Sequence, residues 1–228
     1  RAVVNPFGVM YNPVSVLHTA RKMAGTPFDT AVFTLGTNHV YVERATGEIV
    51  DNCQKRPQRE FEERELTIDE CADALREAIS LLRTSNPQLR VIVTVSPIRY
   101  AKYGYHESQL SKAVLLLAAD KLTKEASGEV YYFPAYEIVN DELRDYRFYK
   151  ADMLHPNEQA VAYIWEQLVA TCFSATAKQF LKEWRPIKEA LAHRPFHPEA
   201  ASYQEFLKKT KEAARLLKQK YPNLELKE

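Results

Sequence analysis

The sequence predicts an α/β fold in which helices alternate with the strands of a parallel sheet. Three short runs rich in β-branched and aromatic residues support this prediction: AVFTL (31–35), VIVTV (91–95) and VYYFP (130–134). Each run is continuously apolar, which is typical of strands covered on both faces of a parallel sheet. A shorter run, AVV (2–4), is a further strand candidate. Helical patterns lie between the runs, and this alternation indicates a doubly wound layer.

Three amphipathic patterns account for the helices of this layer. Residues 67–83 open with Thr67 and Glu70 at the spacing of a capping box, in which each side chain bonds the backbone N–H of the other residue. The same apolar periodicity predicts helices over 107–126 and 157–170. The core-facing residues are predicted to be Ala74, Leu75, Ala78, Ile79 and Leu82 in the first helix, Leu110, Val114, Leu117, Ala118 and Leu122 in the second, and Ala160, Val161, Ile164 and Leu168 in the third.

The character of the chain changes after about residue 175, where strand candidates stop. Two amphipathic patterns, at about 175–192 and 198–220, predict helices joined by the turn-like RPFHPE. The sequence therefore predicts an α/β domain over 1–174 and a C-terminal helical extension over 175–228. The last helix is locally basic, but interspersed acidic residues favour a solvated face over a partner-binding or membrane-surface role.

Composition and charge narrow the function classes. The 31 basic and 30 acidic residues leave a net charge of +1, so no nucleic-acid partner is predicted. No apolar run approaches the roughly 20 residues that span a bilayer, and the first residues, RAVVNPFGVMYNP, lack the pattern of a signal peptide. Cys53, Cys71 and Cys172 are widely spaced and form no CxxC, which argues against a disulfide framework or a zinc site. This cysteine usage favours a reducing, cytoplasmic compartment.

Polar loops follow the predicted strands at their carboxyl ends, where α/β sheets gather functional groups. The first strand runs into Gly36, Thr37, Asn38 and His39. A glycine allows a close backbone approach, and the Asn38 amide is a candidate donor to a developing oxyanion, a contact worth about 3 kcal/mol. The alternative is an ordinary strand-ending turn, which the residues taken alone favour.

The second strand runs into Ser96, Pro97, Ile98 and Arg99. Ser96 follows a strand, as many nucleophiles do, but no G-x-S-x-G elbow surrounds it. The proline after it favours an extended or turn conformation. Ser96 and Arg99 are therefore interpreted as wall or substrate contacts, with a purely structural role as the stronger alternative.

The segment DMLH (152–155) carries an aspartate and a histidine three residues apart, followed by Pro156. Proline suits the first turn of the next helix. The Asp152 carboxylate would then orient one ring nitrogen of His155 while the other nitrogen accepts a proton from a hydroxyl. Alternatively, Asp152 caps the helix and His155 packs. A metal site is disfavoured because no third ligand has a compelling spacing, although His39 and His106 are candidates to converge.

These segments together resemble the GSCFA-domain family, a branch of the SGNH (GDSL-like) hydrolase superfamily. The resemblance extends from about Val3 to Trp165. The blocks that support it are NPFGVMYNP (5–13), FTLGTNHVY (33–41), TVSPIRY (94–100), QLSKAVLLLA (109–118) and FPAYEIVNDELRDYRFYKADMLHP (133–156).

The resemblance implies a flavodoxin-like three-layer α/β/α sandwich and serine esterase or acyl-transfer chemistry without a cofactor. The implied substrate is an acylated carbohydrate or a similar small ester. By the same resemblance, Asp152 and His155 match the acid and the general base, while Asn38 and Gly8 match oxyanion donors. The further candidate substrate contacts are Asn5, Asn12, His39, Ser96 and Arg99.

The sequence departs from the family pattern at the nucleophile. The family's G-S-C-F-A motif, whose serine resembles the nucleophile, belongs upstream of NPFG, and neither GSCF nor GDS occurs in these 228 residues. The segment VLHTARKMAGTPFDT is also shorter than the resemblance implies. Two leading hypotheses follow, and a phosphoester or metal hydrolase is a third. The protein is either an enzyme whose serine precedes residue 1, or a non-catalytic carbohydrate-binding or interaction module with Tyr11, Tyr41, Tyr100 and Tyr103 as stacking surfaces.

Overall fold

The computed structural model describes residues 12–26, 29–50, 53, 55–126 and 128–222. The strand candidate at 2–4 and the candidate residues Asn5, Gly8 and Tyr11 lie outside the described residues. The chain divides into two compact units, the first ending at Ile164 and the second beginning at Trp165.

The elements alternate as the sequence predicts. In chain order they are α1 (Pro13–Met23), β1 (Thr30–Leu35), β2 (His39–Glu43), β3 (Ile49–Val50), β4 (Phe61–Glu65), α2 (Ile68–Arg83), β5 (Arg90–Val95), α3 (Tyr105–Glu125), β6 (Val130–Tyr132), α4 (Ala135–Glu137), α5 (Glu158–Cys172), α6 (Ala175–Ala192) and α7 (Ala201–Lys220). The chain continues from α4 as a π-helical turn over Ile138–Leu143. Short 3₁₀ turns lie at Gln58–Glu60, Ala101–Tyr103 and Tyr146–Phe148.

A parallel sheet flanked by helices confirms the predicted fold class. Its three strands are ordered β1-β5-β6, so that β5 is the central strand among the described residues. Leu35 pairs with Val95 at the carboxyl ends of β1 and β5, and the next residue, Ser96, donates its N–H to the Leu35 carbonyl at 2.7 Å. The loops that begin at residues 36 and 96 therefore start side by side at one edge of the sheet.

The prediction that every strand is covered on both faces is wrong for β1. Its side chains alternate between exposed and buried along the strand, and Val32 is 52% exposed. The central strand β5 is buried at four of its six positions. A strand with one face open to water needs apolar residues only at alternate positions, so the continuous apolar run AVFTL overstates the burial of β1.

The helix predicted over 67–83 is observed as α2, with its apolar stripe buried as expected. Thr67 is the N-cap. Its hydroxyl accepts the Glu70 N–H at 3.2 Å, and the Glu70 carboxylate accepts the Thr67 N–H at 2.8 Å. These bonds satisfy two backbone donors that a helix start leaves without intrahelical partners.

We expect Thr67→Ala to lower the free energy of unfolding by about 1 kcal/mol, because the alanine removes the acceptor for the Glu70 N–H. Urea unfolding followed by circular dichroism measures the change. Ser80→Ala is the control, because Ser80 is exposed on the same helix and its replacement should change stability by less than about 0.5 kcal/mol. Equal unfolding midpoints for the two variants would contradict the energetic role of the cap.

The predicted orientation of α3 is wrong in part. Leu110 and Leu117, expected to face the core, are 47% and 52% exposed. The buried residues of this helix are Ser108, Ser111, Lys112, Leu115, Ala118, Ala119 and Leu122. Because leucines occupy several sides of α3, apolar periodicity does not fix its rotation, and two serines and a lysine face the protein interior.

A small antiparallel sheet, ordered β3-β2-β4, was not predicted. It begins directly after Asn38, since His39 is the first residue of β2 and pairs with Glu65 of β4. The β4 sequence, FEERE, escaped prediction because only Phe61 is buried in it and the rest of the strand is charged. Pairing with β2, rather than local propensity, makes this segment a strand.

The unit from Trp165 onward contains the two C-terminal helices that the sequence predicts. Ser174 caps α6 by accepting the Ala177 N–H at 3.2 Å. Glu183 of α6 and Lys220 of α7 form an ion pair at 2.6 Å. In the parts of the chain that the structure describes, no helix is both long and apolar enough to cross a membrane.

Candidate active site

The DMLH segment forms a tight loop between the 3₁₀ turn at Tyr146–Phe148 and α5. Tyr149 and Pro156 pair as an isolated antiparallel bridge. Inside it, the Lys150 N–H donates to the His155 carbonyl at 2.8 Å and the Met153 N–H donates to the Lys150 carbonyl at 2.9 Å. Met153 has a φ of 60°, in the left-handed region that a non-glycine residue seldom adopts. The backbone of the loop is thus held by its own hydrogen bonds.

Asp152 and His155 are in direct contact. His155 Nδ1 lies 2.6 Å from Asp152 Oδ2. The other carboxylate oxygen, Oδ1, accepts the backbone N–H of Leu154 at 2.9 Å and that of His155 at 3.0 Å. With Nδ1–H donating to the carboxylate, the Nε2 atom carries the lone pair that can accept a proton.

The Asp152 carboxyl stays ionised at the pH values at which most enzymes work. The backbone N–H groups of His155 and Leu154, followed by the His155 side chain, lower the pKa of the Asp152 carboxyl from 3.8 to about 2. A depressed carboxyl pKa contributes stability above the unfolded value, and this contribution is lost as the pH falls through the folded value. For Asp152 that window runs from about pH 4 down to about pH 2, so its charge is constant between pH 5 and 9.

The interpretation of Asp152 as a helix cap is wrong, because α5 has a different cap. Asn157 Oδ1 accepts the Ala160 N–H at 3.0 Å, and Asn157 Nδ2 donates to the Arg147 carbonyl at 2.5 Å. Pro156 precedes this cap and pairs with Tyr149, so its expected place in the first helical turn is also wrong. Asparagine is among the best N-cap residues, which leaves the Asp152 carboxylate for the imidazole.

Arg99 joins this loop to the carboxyl end of β5. Its backbone N–H donates to the Leu154 carbonyl at 3.2 Å, and its guanidinium carbon lies 4.2 Å from the Tyr149 ring centroid, within the range of a cation–π contact. Ser96 Oγ accepts the Ile98 N–H at 3.4 Å. These contacts give both side chains a structural role without testing the predicted substrate contacts, and the Arg99 backbone bond brings the Asp152–His155 loop to the carboxyl end of β5.

Asn38 lies at the carboxyl end of β1 and is only 1% exposed. Its Nδ2 donates to the Leu66 carbonyl at 2.9 Å, and its backbone N–H donates to Ser111 Oγ at 3.0 Å. Its Oδ1 is buried without a partner among the described atoms. One amide hydrogen is committed to Leu66, so the predicted oxyanion contact depends on the second hydrogen.

A network of aromatic and charged side chains surrounds His39. The His39 ring stacks on Tyr103 at 3.8 Å between centroids. Glu63 accepts the Tyr103 hydroxyl at 2.5 Å and Lys102 Nζ at 2.8 Å, and Lys102 also donates to the Tyr41 hydroxyl at 2.6 Å. His39 covers a face of Tyr103, which weakens the interpretation of these tyrosines as open sugar-stacking surfaces.

Burial, above all, lowers the pKa of His39. Asn12, which was predicted as a substrate contact, caps α1 by accepting the Ser15 N–H at 2.9 Å, and its amide donates to the His39 carbonyl at 3.3 Å. The residues Gly8 and Asn5 lie outside the described part of the chain. Within that part, no group of three or more histidine, cysteine, aspartate or glutamate residues could hold a metal ion.

Two family patterns match the chain. The pattern of the GSCFA family matches residues 21–168, and that of the C-terminal domain of GSCFA domain proteins matches residues 184–228. The chain belongs to the GSCFA family. The first match covers Asn38, Asp152 and His155, so the candidate site lies inside the family domain.

Among solved structures, the crystal structure of a carbohydrate esterase family 3 from Talaromyces cellulolyticus is similar to this GSCFA chain. The sequences are 15% identical, and the similarity covers 76% of this chain and 69% of the other, with a TM-score of 0.42. No curated protein matches the sequence. The family assignment therefore rests on the sequence patterns alone.

Sequence reasoning missed two residues of α3 that contact the Gly36–Asn38 loop of this GSCFA domain. Ser111 Oγ lies 3.2 Å from Thr37 Oγ1 and accepts the Asn38 N–H. Lys112 Nζ donates to the Gly36 carbonyl. The block QLSKAVLLLA contained the signal, since Ser111 and Lys112 stand at helix positions next to an apolar stripe. Their burial depends on the rotation of α3, which the periodicity did not fix.

Proposed function

We propose that this chain is the catalytic domain of a serine-dependent O-acyl esterase or acyltransferase that acts on an acylated carbohydrate or a similar small ester. The observation that supports the proposal most directly is the 2.6 Å contact between His155 Nδ1 and Asp152 Oδ2. A carboxylate held in this way orients the imidazole and stabilises its charged form. Membership of the GSCFA family is consistent with this chemistry.

In the proposed reaction, a serine upstream of residue 1 in the full-length protein is the nucleophile. Its Oγ attacks the acyl carbonyl carbon while His155 Nε2 takes the hydroxyl proton. Collapse of the tetrahedral intermediate breaks the bond to the alkoxide, which receives the proton from His155. Water or a sugar hydroxyl then attacks the acyl carbon while giving its proton to His155, the bond to the serine Oγ breaks, and the serine recovers its proton from His155; the choice of attacking group separates hydrolysis from transfer. Asn38, through its second amide hydrogen, is the proposed oxyanion donor.

The test is labelling of the full-length protein with a fluorophosphonate probe, followed by peptide mass spectrometry. We expect a single labelled serine upstream of residue 1 and loss of the label in His155→Ala. A label on Ser96 would support a serine hydrolase with a different nucleophile. No label on the folded protein, together with binding of an acylated oligosaccharide, would refute the enzyme hypothesis and support a carbohydrate-binding module.

A further inference from the structure

Lys112 is a buried lysine that the proposed reaction does not use. It is 2% exposed, and its Nζ donates to the Gly36 carbonyl. The same nitrogen lies 5.6 Å from the Tyr100 ring centroid, at the outer limit of a cation–π contact. Lys112 thus lies between the loops that follow β1 and β5.

The neighbouring residue of α3 contacts the same loop. Ser111 Oγ accepts the Asn38 N–H at 3.0 Å and lies 3.2 Å from Thr37 Oγ1. Ser111 and Lys112 together therefore contact Gly36, Thr37 and Asn38.

The burial of Lys112 lowers the stability of the fold, so stability does not explain why a lysine occupies this position. Removal of the ammonium group from water lowers the pKa of Lys112 to about 7, and a lysine costs more to bury than an apolar side chain of similar length. Perturbed titratable groups cluster at functional sites. A role in the adjacent site explains why a lysine occupies this position.

The geometry of the Gly36–Thr37 peptide bond indicates how Lys112 acts on the adjacent site. In a trans peptide the C=O and the following N–H point in opposite directions. A Gly36 carbonyl that is held by Lys112 on the α3 side therefore directs the Thr37 N–H away from α3. The orientation of this peptide also fixes where the chain enters Asn38.

We propose that Lys112 is a positioning residue whose ammonium group fixes the Gly36–Thr37 peptide and so presents Asn38 to the reacting ester. The inference rests on the proposed function, because that function assigns the Gly36–Asn38 loop to the oxyanion site. Deprotonation of Lys112 removes its positive charge as the pH rises through about 7, so the loop is held most firmly at or below neutral pH.

Two other titratable groups, Tyr100 and His39, face this region. The pKa of Tyr100 is raised by burial, so its hydroxyl stays neutral at the pH values that deprotonate Lys112. The pKa of His39 is lowered by burial and is influenced by Glu63, Glu65, Lys102 and Glu107. Burial thus disfavours the charged form of His39 as it does that of Lys112.

A direct test follows the Gly36–Thr37 peptide by NMR in the full-length protein labelled with carbonyl-¹³C glycine and ¹⁵N threonine. In a His155→Ala background, we expect the Gly36 carbonyl signal to titrate with a midpoint near pH 7. The Gly25–Thr26 pair, in an exposed turn, is the internal control. Lys112→Met should abolish the transition. A Gly36 signal that still titrates with the same midpoint in Lys112→Met, or that has the same position in Lys112→Met and in the parent protein, would overturn the inference.

Kinetics separate the inference from the proposed function. With an ester substrate, we expect Lys112→Met to lower kcat roughly 10-fold with little change in KM. We also expect the wild-type kcat to decline above about pH 7 as Lys112 loses its charge, whereas Lys112→Arg should retain most of the kcat without that decline. A wild-type protein without esterase or transferase activity would refute the proposed function and leave the NMR test standing. An active enzyme in which Lys112→Met changes neither the Gly36 signal nor kcat would refute the inference alone.

Discussion

His155→Ala is expected to lower the kcat for ester cleavage by the full-length protein on the order of 10⁴-fold or more. The alanine removes the base that takes the serine proton and later returns it to the alkoxide. Because the side chain is about half exposed, its loss leaves no buried cavity, and the protein should fold as the wild type does. Steady-state kinetics with an aryl acetate and thermal unfolding of the same samples measure the two effects.

The matched control is His197→Ala. His197 is also an exposed histidine beside a carboxylate, with Nδ1 3.4 Å from Glu199 Oε1, but it belongs to the C-terminal unit. We expect its replacement to leave kcat unchanged. Retention of wild-type activity within about 10-fold by His155→Ala would remove His155 from the mechanism.

Asp152→Asn is expected to lower kcat by roughly 10³- to 10⁴-fold while KM changes little. The asparagine oxygen can still accept the two backbone N–H groups, so the loop should persist. The asparagine amide, however, donates toward His155 Nδ1 and favours the tautomer whose Nε2 carries the hydrogen. That tautomer cannot take the proton of the serine. The loss of the negative charge also removes stabilisation of the imidazolium.

Asp145→Asn is the control for this variant. Asp145 also accepts a backbone N–H in a tight turn, from Arg147 at 2.8 Å, and its replacement tests the loss of a surface carboxylate without a change at the imidazole. We expect full activity. Asp152 is ionised throughout pH 5 to 9. Ionisation of this carboxyl should therefore add no pH dependence to the ratio of wild-type to Asp152→Asn rates in that range. Equal activity of the two asparagine variants would show that Asp152 only shapes the loop.

Local patterns account for what the sequence predicted well. The three strands of the parallel sheet and α2 each depend on residues that are close in the chain, such as the β-branched run at 91–95 and the Thr67–Glu70 capping box. The C-terminal helices follow from apolar spacing in the same way. These features need no knowledge of distant contacts, because propensity and capping act within a few residues.

The elements that sequence reasoning missed depend on partners far away in the chain. The charged strand β4 exists because it pairs with β2. The rotation of α3 is decided by Ser108, Ser111 and Lys112. Their bonds reach Tyr100 and the Gly36–Asn38 loop, and no local periodicity encodes such contacts.

The sequence by itself determined the α/β class, the presence of C-terminal helices and the proximity of Asp152 to His155, because a three-residue separation confines two side chains to one loop. Only the tertiary structure decided three further features. Asp152 is not the N-cap of α5, Arg99 connects the DMLH loop to β5, and a buried lysine holds the Gly36 carbonyl. The physical reason is that a hydrogen bond between residues far apart in the chain forms only where the packing of the whole fold brings its two groups together. Their energies depend on burial, which no short stretch of sequence specifies.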